Sequence, residues 1–414
     1  MNNVFDKARP ARDVQPFQIA TSYTKPKADP DAVVPVSIAA TPFKWTDPAT
    51  IPTRPWVYGH HMIRKDVSLT VAPGGVGKSS LSVAEVMALV TGQDLLGEFV
   101  PGAMRVWYWN LEDNGPELQR RFAAAALHHK IDPADLEQRL FMDTGREKPF
   151  CLATQTRDGA TVLRPVVEAL EAELKAREID VLIIDPFVSS HAVTENDNNA
   201  VDLVAKEWGR IADRCNCAIE LVHHTRKLAS GEVASTGAGR GASALVDASR
   251  SARVLQKMTD DERIKAGIPD TDHGTYFTVT RDKANLAPVA GRKWFRTVGV
   301  ELGNGPLSGM GDDSVASVES WKWPDAFDGI DKDDVLAMQK ALAGTQYRAD
   351  PQATAWVGYA IADALDFDPK KNKARIASMV KTWLENGVFR TVEVLDGRNR
   401  KKPGVEVGEW INTA

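Results

Sequence analysis

The chain has 414 residues and a formal net charge of −5 at pH 7, with 43% hydrophobic and 26% charged residues. That length accommodates two or three domains of ordinary globular composition. The acidic balance excludes a global basic field, so any nucleic-acid site must be a local patch.

The three cysteines, Cys151, Cys215 and Cys217, do not form a disulfide framework pattern and read as packed side chains. No apolar run approaches the ~18 residues of a membrane span. The opening MNNVFDKARPARDVQ has no signal-peptide core, so a reduced cytoplasm and no membrane partner are expected. Residues 1–50, rich in Pro, Ala, Asp and Lys without periodicity, read as an extended or disordered arm.

From 51 to 302 the pattern is α/β. Apolar runs VSLTVA (67–72), RVWYWNLE (105–112), RLFMD (139–143), DVLIID (180–185) and AIELVHH (218–224) alternate with helix-like segments. Such runs predict a mostly parallel sheet covered on both faces. GTYFTVTRDK (274–283) and RKWFRTVGVEL (292–302) read as later, more antiparallel strands. The glycine-rich stretch 303–330 reads as a linker, and 331–414 as a separate domain of short helices followed by two strands.

The strand VSLTVA runs into Pro73, Gly74, Gly75, Val76, Gly77, Lys78, Ser79 and Ser80, a Walker A pattern with Ala72 at the first glycine position. The glycines allow a turn tight enough to aim backbone N–H groups at phosphate oxygens. Lys78 is placed for the β- and γ-phosphates and Ser79 for Mg²⁺, with the following helix pointing its positive end at the same anion. ATP and Mg²⁺ are therefore the expected ligands.

The strand DVLIID ends in Asp185, the carboxylate expected behind the Mg²⁺ shell (the Walker B position), but Pro186 and not Glu follows it. The base must come from elsewhere, and Glu112 at the end of RVWYWNLE supplies one at the ligand-binding edge of the sheet. Asp113 is the alternative, or else a helix cap. At the tip of AIELVHH, His224 can hydrogen-bond the γ-phosphate, with His223 turned toward the core. A small-residue segment (227–254) follows, a mobile loop and then a short helix ending in Arg250 and Arg253. Either arginine can stabilise phosphoryl-transfer charge across a subunit boundary or form a surface salt bridge. Trp56 and Tyr58 either stack on the base or pack in the core.

Assembled, APGGVGKSS, YWNLEDNGPELQRRF, IIDPFVSSHAVTENDN, LVHHTRK, GAGRGASALVDASR and TRDKAN resemble the plasmid RepA-type hexameric replicative helicases of the RecA-like AAA ATPase superfamily. The resemblance implies a homo-oligomeric, hexameric ring with ATP between subunits, Arg250 as a finger in trans and His224 as γ-phosphate sensor. It also implies Arg121 at the nucleotide site, Lys283 near the neighbour's nucleotide, and single-stranded DNA in a channel lined by the loops after Asp185 and His224. Those loops carry few basic residues (Arg226, Lys227 and Arg240 against Glu232) and no aromatic between Thr225 and Arg250, unlike a strand-tracking loop.

In the tail, residues 369–402 hold ten basic and three acidic residues, a local +7. Ile376, Met379, Val380, Trp383 and Leu384 recur at helical spacing, and VFRTVEVL, Asp396-Gly397 and GVEVGEWI read as a hairpin with a basic tip. Helices followed by a basic hairpin look like a small winged-helix α+β domain that grips duplex DNA or binds protein. The whole reads as an ATP-hydrolysing motor on DNA: a replicative helicase or replication protein of a plasmid, phage or integrated element. The competing readings are a recombination-type filament ATPase and a nucleotide-gated regulator or loader that does not unwind.

Overall fold

Every residue of Val67–Ala72 (β1) is buried, as a central strand covered on both faces requires. It is followed by α1 (Lys78–Thr91), β2 (Val106–Asn110), α2 (Gly115–His129), β3 (Leu140–Thr144), α3 (Arg164–Ala176), β4 (Val181–Asp185), α4 (Asn198–Cys215) and β5 (Ala218–His224). Then come α5 (Ala242–Ala248), β6 (Ser251–Lys257), α6 (Asp260–Ala266), β7 (Tyr276–Ala284), β8 (Lys293–Glu301) and β9 (Ser314–Trp321). The computed structural model describes residues 18–21, 34–37, 39–224, 242–268, 272, 275–287, 291–305, 311–395 and 399–411.

These strands form one nine-stranded sheet in the order β9-β8-β7-β6-β1-β5-β4-β2-β3. Pairings from β6 through β3 are parallel, while β6-β7, β7-β8 and β8-β9 are antiparallel. The fold is thus the α/β architecture with a mostly parallel sheet anticipated from the apolar runs.

Side chains alternate across the sheet with period two. Val106, Tyr108, Val181 and Ile183 face a layer with α1 and α2, whereas Trp107, Trp109, Leu182 and Ile184 face α3 and α4. Each fully buried Val, Leu or Ile contributes roughly 1.5–3 kcal/mol. All of α1 except Ser79 and Thr91 is buried, more than an amphipathic surface helix would be. The reason is β9, which closes over α1 and α2: Val318 packs with Leu81 and Ala84, and His129 Nε2 lies 3.0 Å from the Val318 carbonyl.

That placement corrects the linker assignment. Ser314–Trp321 is the edge strand of the sheet, paired with β8 along its whole length, so the sheet extends past residue 302. Beyond it lie α7 (Lys332–Leu342), β10 (Tyr347–Arg348), α8 (Val357–Ala364), α9 (Lys373–Glu385), β11 (Phe389–Leu395) and β12 (Lys401–Val407). The last three strands form a separate antiparallel sheet, β10-β12-β11, around a core of Met338, Trp356, Ile361, Ile376, Met379, Trp383 and Phe389.

Contacts divide the chain into Met1–Arg54 and Pro55–Ala414. In the first unit Gln18–Thr21 pairs antiparallel with Val34–Ser37, where the sequence shows no strand periodicity. Among the described residues no helix is long and apolar enough to cross a membrane.

A polar network is sealed inside the main core. Arg253, in β6 and 6% exposed, donates to both Glu85 carboxylate oxygens at 2.6 Å and to Thr70 Oγ1 at 2.8 Å. The surface salt-bridge reading of Arg253 is therefore wrong: its partners are buried on α1 and β1. Ser68 and Thr70 hydroxyls donate to Glu220, whose Oε2 lies 3.1 Å from His61 Nε2. Burial works to raise the Glu220 pKa, but His61, Arg253 and Ser68 hold it down to about 2. His61 Nδ1 is 2.9 Å from Ser251 Oγ, giving a serine–histidine–carboxylate series. Its members are 1–3% exposed, so no substrate reaches that serine.

Replacing Arg253 with alanine would leave Glu85 and Glu220 buried without their cation. The expected loss is about 3–5 kcal/mol in urea unfolding, with an unchanged m value. A loss under about 1 kcal/mol would mean that the network is solvated.

Candidate nucleotide site

The cradle begins where β1 ends. Gly75 has φ +72° and Gly77 φ +109°, both in the left-handed region. A Cβ at Gly77 would also stand 3.3 Å from the Phe277 ring and 3.4 Å from Thr297 Oγ1, so this turn needs glycine twice over. Gly77 caps α1 without any side-chain hydrogen bond, which leaves the first N–H groups of the helix directed at the cradle. Gly74 and Gly75 face open space. Pro73, Val76 and Ser80 complete the turn and the first residues of the helix, with Val76 and Ser80 buried.

Parallel register brings the other groups to the same edge. His224 pairs in register with Ala72, and Asp185 with Asn110. Lys78, 6% exposed, points its Nζ at His224 Nε2 (2.8 Å) and at Asp185 Oδ1 (3.4 Å). Ser79 Oγ donates to Asp185 Oδ2 at 3.1 Å. A hydroxyl and a carboxylate are hard oxygen donors of the kind Mg²⁺ accepts beside nucleotide phosphates. Among the described residues no group of three or more His, Cys, Asp or Glu has metal-holding geometry, and a Mg²⁺ that shares its shell with phosphates requires none.

Glu112 is more than half exposed, and its Oε1 lies 3.7 Å from His224 Nε2. Its strand follows β1 in sequence, yet β5 and β4 separate the two in space. Glu112 reaches the cradle because the chain turns back at the end of β2. Asn110, 2% exposed, folds that turn by accepting from the Glu112 N–H (2.9 Å) and the Asp113 N–H (2.7 Å). Asp113 does not cap the helix; Asn114 does, and Asp113 pairs with Arg121 at 3.2 Å. Arg121 also reaches Glu117 at 3.3 Å. With Ser80, Arg120 and the start of β9 it lines a cavity of about 350 Å³ beside the phosphate turn.

Two residues of the site escaped the sequence reading. Tyr108 donates its hydroxyl to Asp185 Oδ2 at 2.8 Å, and burial followed by the Asp185 charge pushes the phenol well above its ordinary pKa. It stays a donor and holds the carboxylate. Asn110 is the second, for the turn it makes. The available signal for both was alternation within VWYWN, which puts Tyr108 and Asn110 on one face.

Other expected residues lie elsewhere. Tyr58 is 1% exposed in the core and cannot stack on a base, and Trp56 packs edge-on to His60. His223 is buried, as expected. Arg250 stands at the opposite edge of the sheet, with its N–H on the Val67 carbonyl and Nε 3.1 Å from Asp66 Oδ1. Lys283 lies at that same edge, donating to the Val246 and Asp247 carbonyls that end α5. Residues 225–241, with Arg226, Lys227, Glu232 and Arg240, and the hairpin tip 396–398 lie outside the described residues. The segment after Asp185 is pinned to the hairpin Ala153–Thr156/Gly159–Val162: Thr194 N–H donates to Gln155 Oε1 at 2.7 Å, and Gln155 to Asp197 at 2.7 Å.

Burial, and then Lys78 beside it, lowers the His224 pKa from its ordinary value, while Glu112 opposes the shift. At neutral pH the ring is uncharged and accepts from Lys78. Protonation as pH falls sets two cations against each other and breaks that contact. An NMR titration of His224 should therefore midpoint below 6.5. Lys78→Ala should raise the midpoint and Glu112→Gln should lower it further; a midpoint that ignores both would refute the electrostatic link.

Residues 33–230 match the model of a family described as an AAA domain, slightly under half of the chain. The cradle, Glu112, Asp185 and His224 fall within the match. Arg250, β6–β9 and the C-terminal sheet lie beyond it. A solved structure of the RadB recombinase is similar over 57% of this chain and 88% of its own, at 13% identity and a TM-score of 0.37.

Proposed function

We propose that this protein is an oligomeric, Mg²⁺- and ATP-dependent RecA-like motor ATPase that acts on DNA, in the manner of a replicative helicase or replication protein of a plasmid, phage or integrated element. The observation that carries the reading is the meeting of Lys78, Ser79, Asp185, His224 and Glu112 at one glycine-built anion cradle. Lys78 leaves its contacts with Asp185 and His224 to hold the β- and γ-phosphates. Ser79 and Asp185, the latter steadied by Tyr108, hold Mg²⁺, which when bound neutralises phosphate charge. Glu112, exposed to water, orients and deprotonates the attacking water. His224, in reach of both Lys78 and Glu112, senses the γ-phosphate. Arg121 borders the neighbouring cavity and completes the nucleotide site.

Arg250 supports the multi-subunit part of the reading. Six strand residues separate it from the cradle, about 20 Å at 3.3 Å per residue. An arginine side chain does not extend that far, so any catalytic part for Arg250 is played on a second copy, with Lys283 beside it. A hexameric ring is the form this proposal takes.

Glu112→Gln should keep ATP affinity within about threefold and reduce turnover at least 100-fold. Arg250→Ala and Lys78→Ala subunits, each inactive alone, should regain partial hydrolysis when mixed, because some interfaces then pair an intact Lys78 with an intact Arg250. Full hydrolysis by Arg250→Ala alone would remove the finger.

The C-terminal elements run helix, strand, helix, helix, strand, strand, an order that suits a winged-helix-like domain gripping duplex DNA. Several of its basic side chains already have partners within the domain or beside it. Arg390 pairs with Glu406 at 2.6 Å and Lys401 with Glu393 at 2.7 Å, while Arg375 donates to the Ala326 carbonyl at 2.9 Å. Deleting residues 331–414 should weaken duplex binding and flatten its salt dependence. Unchanged binding would turn the domain toward protein contacts.

A further inference from the structure

We infer that the crevice between α6 of the ATPase sheet and α9 of the C-terminal domain is a binding site for an unpaired nucleotide of single-stranded nucleic acid, with Trp323 as stacking platform. This rests on the proposed DNA-acting function and adds a site that neither the nucleotide cradle nor a duplex-gripping helix supplies.

The crevice has a volume of about 370 Å³, within the roughly 300–1,000 Å³ range of small-ligand sites and too small to admit a duplex. One wall is the end of α6 with Lys265; the other is the start of α9 with Lys371, Asn372 and Ser378. Trp323 lines it and is 37% exposed, so part of the indole is open to the crevice. The ring is not loose. Trp294 stands 5.1 Å away and Trp321 5.8 Å away, both tilted against it, and the Arg292 guanidinium lies 5.9 Å over the Trp294 ring. A braced indole loses little freedom when a base stacks on it, and every base has a face to offer, so the site tolerates sequence.

Charge favours a polyanion. Lys265 and Lys371 line the crevice and are exposed. Two carboxylates also line the crevice, Asp325 and Asp328. Each is engaged with backbone: Asp325 Oδ1 accepts from the Phe327 N–H at 3.0 Å and Asp328 Oδ2 from the Asp325 N–H at 3.1 Å. Lysine ammonium groups at the rim and an indole inside match a phosphate outside and a base inside.

The test is fluorescence anisotropy with a labelled twenty-residue oligothymidine and, separately, a twenty-base-pair duplex, on the full chain. Trp323→Ala should weaken single-strand binding about tenfold, Trp323→Phe should recover most of it, and neither should change duplex affinity by more than twofold. Lys265→Glu combined with Lys371→Glu, on two different elements, should lower the salt slope by about two. A thermal melt of each variant identifies unfolding; if Trp323→Ala does not fold, the double lysine variant decides. Wild-type affinity in both sets of variants overturns the crevice site while leaving the DNA reading intact. Parallel losses on duplex overturn its single-strand character, and a wild-type chain that binds neither probe overturns both proposals.

Discussion

Parallel pairing of β1, β5, β4 and β2 is the constraint on which the rest depends. In a parallel sheet all strands end on the same edge, and register decides which residues stand there together. The pairings His224 with Ala72 and Asp185 with Asn110 put a glycine turn, an imidazole, a carboxylate and a chain reversal in one row. A slip of one residue would turn Asp185 and His224 to the other face and bring Ile184 and His223 forward. The alternating apolar packing of Ile183 and Ile184 on opposite layers makes such a slip expensive.

The buried polar network serves the same register from beneath. Glu85 lies two turns into α1, whose first residues are Lys78 and Ser79, while Arg253 lies in β6 and Glu220 in β5. The Arg253 fork on Glu85 therefore ties α1 to the strand that begins beside Arg250. Burying so many charges offers little net stability against an apolar substitute. Its effect is to permit only one arrangement of α1 on the sheet, because any other would leave a carboxylate or a guanidinium without a partner.

The parallel core and its cradle were largely legible in sequence. VSLTVA and AIELVHH are strands over the same residues in the structure, since a short, β-branched apolar run between turn residues is stable only when extended and covered on both faces. The edge strand β9 was not legible. SVASVESW follows a run of glycine, serine and aspartate, and its stability comes from packing across α1 and α2, which no local pattern records. Arg253 was misread because its partner Glu85 is 168 residues away in sequence, so the charge looked solvent-bound. Tyr108 and Asn110 were hidden inside a strand that reads simply as apolar; register with β4 gives Tyr108 its Asp185 partner, and Asn110 finds its partners only once the chain turns back after β2.

The two edges of the sheet now make an argument about assembly. The cradle edge holds a lysine ammonium, an exposed carboxylate and a hydroxyl–carboxylate pair, while Arg250 and Lys283 stand at the other edge. Arg250 is paired with Asp66 but remains about half exposed, so its charge is screened and not consumed. A single copy thus carries the glycine-built cradle at one end of β1 and a cation at the other, with a strand's length between them. Under the proposed function, head-to-tail contact between copies would bring such ends together and would close into rings or run on as filaments according to the rotation between copies, whereas a two-fold dimer would pair the two ends reciprocally.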